Sequence, residues 1–237
     1  MIGKGWILKA CRLALAVSLL VSLVASAAGG AVPAGYDPQA KVWDIFDAQR
    51  LRLTAEYCRL HYGLDSSQLR EPRMIVLHYT AFATLEQSFS FFLPALLDTV
   101  SRKDISSGGA VNVSAHYLVD RDGSIVQLAS EKVICRHTIG FNYTAIAIEN
   151  VGSDSADLTL AQVRSDTALV SRIKRRHPSI EYLIGHQEYQ DARRPHFKLY
   201  RERDRSYRFT EKHDPGLAFL KQVRELLKES YGIALKD

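Results

Sequence analysis

The stretch Arg73-Met74-Ile75-Val76-Leu77-His78-Tyr79-Thr80 constrains the fold more than any other. Four apolar residues in a row, two of them β-branched, predict a buried strand. A strand of that kind belongs to a sheet covered by helices. His78 stands at its carboxyl end, where open α/β sheets place ligands and chemistry. A lone strand histidine is more often a hydrogen-bonded core residue, so its meaning depends on what other strand ends supply.

Other strand ends do supply partners. Residues 144–151 contain the apolar run Ala145-Ile146-Ala147-Ile148 and end in Glu149. Residues 180–184 are a third strand, closed by Gly185-His186. Residues 114–119 and 124–128 flank Asp120-Arg121-Asp122-Gly123, and Asp-Gly there predicts a hairpin. Helices are predicted between the strands. One spans about 45–62 and is closed by Gly63, and another follows the T-x-x-Q box Thr84 to Gln87. Leu85, Phe89, Phe92, Leu93, Leu96 and Leu97 share its apolar face, with a kink expected at Pro94. A third follows the box Thr159 to Gln162 and stops near Pro178, its last-turn Lys174, Arg175 and Arg176 suiting the helix dipole. A fourth opens at Asp214-Pro215 and closes at Gly232. The fold class is α/β, a single domain with a central mixed β-sheet flanked by helices. Residues 29–43, rich in Gly and Pro, are expected to be a flexible lead-in, and residues 101–113 a mobile loop.

Residues 1–27 are a separate unit. Lys4, Lys9 and Arg12 precede an apolar run over 13–24, and Ala25-Ser26-Ala27 is an A-x-A cleavage site. This is the pattern of a secretory signal peptide, too short for a bilayer span. The expectation is export to the periplasm or extracellular space, with no stable membrane span after cleavage. Removing the segment takes the charge from 31 basic against 26 acidic residues to 28 against 26, or +2. That small excess removes most of the case for a nucleic-acid partner. Export permits a disulfide between Cys58 and Cys135, and two buried thiols fit equally well. There is no C-x-x-C metal spacing and no Rossmann or P-loop glycine pattern.

Three strand ends therefore present ionisable groups, His78, Glu149 and His186, and Lys212-His213-Asp214 follows the last long loop. Two imidazoles and a carboxylate are a common ligand set for catalytic zinc. A further carboxylate can move a proton of the attacking water, and a lysine can steady an oxyanion. This inventory fits metal-assisted amide hydrolysis. Asp214 also reads as a helix N-cap, and His213 is its rival as third ligand. His61, His177 and His196 read as surface or loop residues.

Six stretches, in order, resemble the zinc-dependent N-acetylmuramoyl-L-alanine amidases of the amidase-2 family, kin to the peptidoglycan recognition proteins and phage T7-type lysozyme. They are residues 75–80, 113–119 with Asp122-Gly123, 136–140, 145–149, 184–186 and 212–216. The resemblance covers about 73–227. It implies an amidase-2 fold and a division into signal peptide 1–27, lead-in and helix 28–72, and catalytic domain 73–232. By position it implies Zn²⁺ held by His78, His186 and Asp214, a catalytic Glu149, and Lys212 assisting the transition state. His137 and Asn142 fall where the family lines its substrate groove, and His116 falls in the hairpin strand, where a structural role is expected. The implied partner is peptidoglycan, cut between N-acetylmuramic acid and L-alanine of the stem peptide. The alternatives are a non-catalytic peptidoglycan-binding module and a hydrolase of another amide. The stretch between His186 and Asp214 is long for this family and reads as an inserted loop, either touching substrate carboxylates or forming a solvated flap. Oligomeric state is not legible.

Overall fold

The computed structural model describes residues 34–237; the proposed signal segment lies outside the described residues. Its frame is a six-stranded sheet in the order β1-β4-β3-β5-β2-β6. The strands are β1 (Lys41–Val42), β2 (Met74–Tyr79), β3 (Tyr117–Val119), β4 (Ile125–Gln127), β5 (Ala145–Asn150) and β6 (Tyr182–Gly185). Only β3 and β4 run antiparallel, which makes the sheet mixed as expected. Met74 to Leu77 and Ala145 to Ile148 are fully buried, the price of central parallel strands covered on both faces.

The helices are α1 (Ala48–Tyr62), α2 (Leu85–Phe92), α3 (Leu160–Arg176) and α4 (Leu217–Tyr231). Local chemistry sets their ends. Asp47 accepts from the Arg50 amide at the start of α1, and Gly63 ends it in the left-handed region at φ 63°. Thr159 and Gln162 form the reciprocal capping box of α3. Gly123, at φ +88°, turns the β3–β4 hairpin. Leu53, Tyr57, Cys58 and Tyr62 of α1 share one core with β2, β5, β6, α3 and α4. Ile45, Phe92, Leu118, Val126 and Leu128 form a second, smaller core.

Several expectations are corrected. The lead-in is not wholly flexible, because Lys41 and Val42 pair with β4 as an edge strand. The α2 helix stops at Phe92 ahead of Pro94, so Leu93 and Leu96 are not on its buried face and stand half exposed. The expected mobile loop holds a 3₁₀ helix at Lys103–Gly108. It is tied down by the buried Arg136 guanidinium, which donates to the carbonyls of Ile105, Gly109 and Val111. Asp214 is not the cap of α4, since that position belongs to Gly216. His61 and His196 are buried rather than superficial; the His61 ring lies between Glu202 and the Gly108 carbonyl. Cys58 and Cys135 are both buried free thiols.

The stretch between His186 and Asp214 is not a flap. Tyr189, Phe197, Tyr200 and Phe209 pack on one another, and Phe141 meets Phe197 and Tyr200 edge to face. Aromatic burial on this scale anchors the insertion to the domain.

Candidate metal and catalytic site

Sheet register builds the site. β2 and β5 pair His78 with Glu149, and β2 and β6 pair Leu77 with Gly185. One further step along β6 brings His186 beside His78. Three neighbouring parallel strands thus deliver two imidazoles and a carboxylate to one row at their carboxyl ends. Asp214 comes from the segment before α4. Its carbonyl accepts from the Gln187 amide at 2.9 Å, which ties that segment to the end of β6.

Among the described residues, His78, His186 and Asp214 are the group of donors that could hold a metal ion, and all three are buried. His78 Nδ1 lies 3.0 Å from His186 Nδ1 and 3.0 Å from Asp214 Oδ2, and His186 Nδ1 lies 3.1 Å from the same oxygen. No placement of protons turns all three edges of this triangle into hydrogen bonds. If both Nδ1 atoms carry protons, they repel each other; if one does not, its lone pair faces the carboxylate. A cation between them satisfies all three lone pairs. Tetrahedral zinc, with bonds of about 2.0–2.1 Å, sets its ligand atoms about 3.3 Å apart, close to what is seen. The donor set fits the ion. His213, its side chain 75% exposed, stays outside the cluster.

These donors open into a cavity of about 450 Å³, lined also by Glu149, Lys212, His137 and Asn142. Glu149 is 8% exposed, and its Oε2 has no hydrogen-bond partner. Burial pushes its pKa up to about 7, against the pull of His78 and Lys212. Burial lowers the His186 pKa to about 4, which keeps the ring neutral as a donor must be. Burial acts to raise Asp214, but His186 and His78 beside it hold the carboxyl far below the usual range. Two carboxylates lining one cavity are thus driven in opposite directions, one neutralisable near pH 7 and one ionised.

The softer groove residues sit deeper than expected. Asn142 is 1% exposed, and its Oδ1 accepts the amides of His137 and Thr138 at 2.9 and 2.7 Å. Its Nδ2 donates to the Tyr57 hydroxyl, so its polar atoms hold the loop rather than face the cavity. His137 Nδ1 lies 3.1 Å from His78 Nε2. Burial, then the neighbouring histidines, push the His137 pKa well below its ordinary value. His116 is structural: its Nε2 meets the Val133 carbonyl, and its Nδ1 accepts from the Ala147 amide. Arg102, Phe82, Phe91 and Tyr207 also line the cavity, and no motif in the sequence marked them. Phe91 comes from α2 and the others from loops and the insertion, where no motif marks a cavity-lining position.

The family model for N-acetylmuramoyl-L-alanine amidase (Amidase_2) matches residues 68–216. No curated protein matches the chain. Among solved structures, a selenomethionine AmpD derivative is similar at 20% identity and a TM-score of 0.50, covering 80% of this chain and 96% of that one. N-acetylmuramoyl-L-alanine amidase LysC from Clostridium intestinale is 23% identical, with coverage of 53% and 76% and a TM-score of 0.40. Human PGRP-IBETAC, in complex with glycosamyl muramyl pentapeptide, is 15% identical, with coverage of 65% and 83% and a TM-score of 0.45. The likeness to the AmpD derivative, at 20% identity, speaks for the fold alone.

Proposed function

The chain belongs to the N-acetylmuramoyl-L-alanine amidase family, and from that membership we propose that it is an exported zinc amidase of peptidoglycan. The bond cut is the amide between the lactyl carbonyl of N-acetylmuramic acid and the nitrogen of L-alanine. The observation that carries the reading is the triangle of His78 Nδ1, His186 Nδ1 and Asp214 Oδ2, with Glu149 in the same cavity. The proposed export signal over residues 1–27 agrees, since peptidoglycan lies outside the inner membrane.

His78, His186 and Asp214 hold the zinc. When bound, the ion supplies Lewis acidity, which lowers the pKa of water and polarises a carbonyl. Glu149 takes a proton from the attacking water and returns it to the alanine nitrogen as the C–N bond breaks. A carboxyl titrating near pH 7 suits both halves of that transfer. Lys212, on the rim of the same cavity, donates to the carbonyl oxygen as negative charge builds there. The deep walls around Glu149 exclude bulk water and keep these charges strong.

The test is digestion of purified sacculi by the protein, with and without a chelator, and mass analysis of the products. Free stem peptides with an L-alanine amino terminus, abolished by chelator and restored by zinc, are expected. Retained sacculus binding with no release would instead identify a recognition module.

A further inference from the structure

We infer that His137 is a positioning residue for the metal site, fixing through its Nδ1 the tautomer and ring angle of His78. The inference rests on the zinc reading above and assigns a role within it. His78 presents Nδ1 to Asp214 and His186, so a metal held there needs the Nδ1 lone pair. A neutral imidazole then carries its proton on Nε2, and that N–H needs an acceptor. The atom in reach is His137 Nδ1, at 3.1 Å, with the two rings edge to face at 89°. For this Nδ1 to accept, the His137 proton must sit on its own Nε2. That nitrogen is buried and has no hydrogen-bond partner.

The acceptor is itself held in place. Thr138 Oγ1 lies 2.8 Å from the same His137 Nδ1, so the hydroxyl and the His78 ring share that atom. Asn142 Oδ1 clamps the amides of both residues, and the Tyr57 hydroxyl anchors Asn142. The chain of contacts runs from α1 through the 137–142 loop to a ligand on β2. Partners of this kind orient metal-bound histidines, and their loss typically weakens metal binding about 10–100-fold.

The experiment measures zinc affinity by chelator competition on the full mature protein, for wild type, His137→Leu and His137→Asn. Asparagine places an oxygen acceptor near the former Nδ1 position; leucine places none. The expected result is about 10–100-fold weaker zinc binding in His137→Leu, with near-wild-type binding in His137→Asn. Zinc affinity unchanged in His137→Leu, with only a raised KM, would overturn the inference and make His137 a substrate contact. Failure of the wild type to bind zinc at all would instead overturn the zinc reading beneath it. A second measurement needs no variant. In the imidazole ¹H–¹⁵N spectrum of the zinc-loaded wild type, His78 should carry its proton on Nε2 and His137 should be bare at Nδ1. A proton on His137 Nδ1 would overturn the inference even if the variants failed to fold.

Discussion

At the scale of single residues, the site depends on two carboxylates with opposed environments. Glu149 has an unpartnered oxygen and a pKa raised to about 7 by burial, while Asp214 stays ionised among the histidines. Glu149→Gln keeps the shape and removes the ability to exchange a proton. Its expected effect is a fall in kcat of about 10²–10⁴-fold, the usual worth of a general acid–base group. Zinc content, measured on the same sample by atomic absorption, should stay at the wild-type level because Glu149 is outside the ligand triangle. Full activity in this variant would remove the proposed mechanism. The site's core was legible as strand ends, since His78, Glu149 and His186 each follow an apolar run, and the family resemblance singled out the three; the register that sets them side by side was not legible. Without the family resemblance, which made Asp214 the third ligand, its residue pattern was an ambiguity between cap and ligand, and the position of Gly216 as N-cap resolves half of it. The contact of His137 with His78 and the clamp by Asn142 depend on side-chain direction, which spacing does not encode.

At the scale of elements, the end of α2 shows how a buried charge substitutes for a glycine cap. The last carbonyls of a helix lack intrahelical partners. Here Arg50, fully buried on α1, donates to the carbonyls of Phe92, Leu93 and Pro94 at 2.6, 3.2 and 2.5 Å. Asn112 Nδ2 adds bonds to the carbonyls of Phe91 and Pro94. Phe91 and Phe92 line the cavity, so this junction also shapes one wall of the site. Arg50→Met removes the cost of burying a guanidinium but leaves several carbonyls bare. Each bare buried group costs about 1–3 kcal/mol, so the loss should win, with a net destabilisation of roughly 2–4 kcal/mol. Arg50→Lys should recover little, because one ammonium cannot span the carbonyls a planar fork reaches. Urea unfolding midpoints of the two variants check this; a stable Arg50→Met would refute it. Helix α2 itself was legible from Thr84 and its apolar spacing. Its early end and its long-range cap were not, since Arg50 lies more than forty positions from the carbonyls it serves. The same limit hid β1, an exposed two-residue edge strand whose pairing with β4 is decided by tertiary contact.

At the scale of the whole molecule, one ionic cluster joins the lead-in, the segment after the hairpin and α3. Glu131, 1% exposed, accepts from Arg176 at 2.6 Å, His177 at 2.8 Å and the Tyr117 hydroxyl at 2.6 Å. Asp37, also buried, receives Arg172 and Arg176 at 2.8 and 3.1 Å. Burial acts to raise the Glu131 pKa, but His177, Arg176 and Tyr117 outweigh it and bring the carboxyl down to about 2. A carboxyl whose folded pKa lies below its unfolded value stabilises the fold above the unfolded pKa, near 4.5. That contribution is lost as pH falls from about 5 towards 2, where the folded form also takes up a proton. A shift of this size corresponds to roughly 3 kcal/mol. Glu131→Gln should therefore be less stable than wild type at pH 7 by about that amount. It should also lose less stability between pH 5 and pH 2.5, because the titrating group is gone. Thermal melts across that range measure both effects on one pair of proteins. Parallel curves, with the variant no flatter than wild type, would show that the acid sensitivity of the fold resides elsewhere.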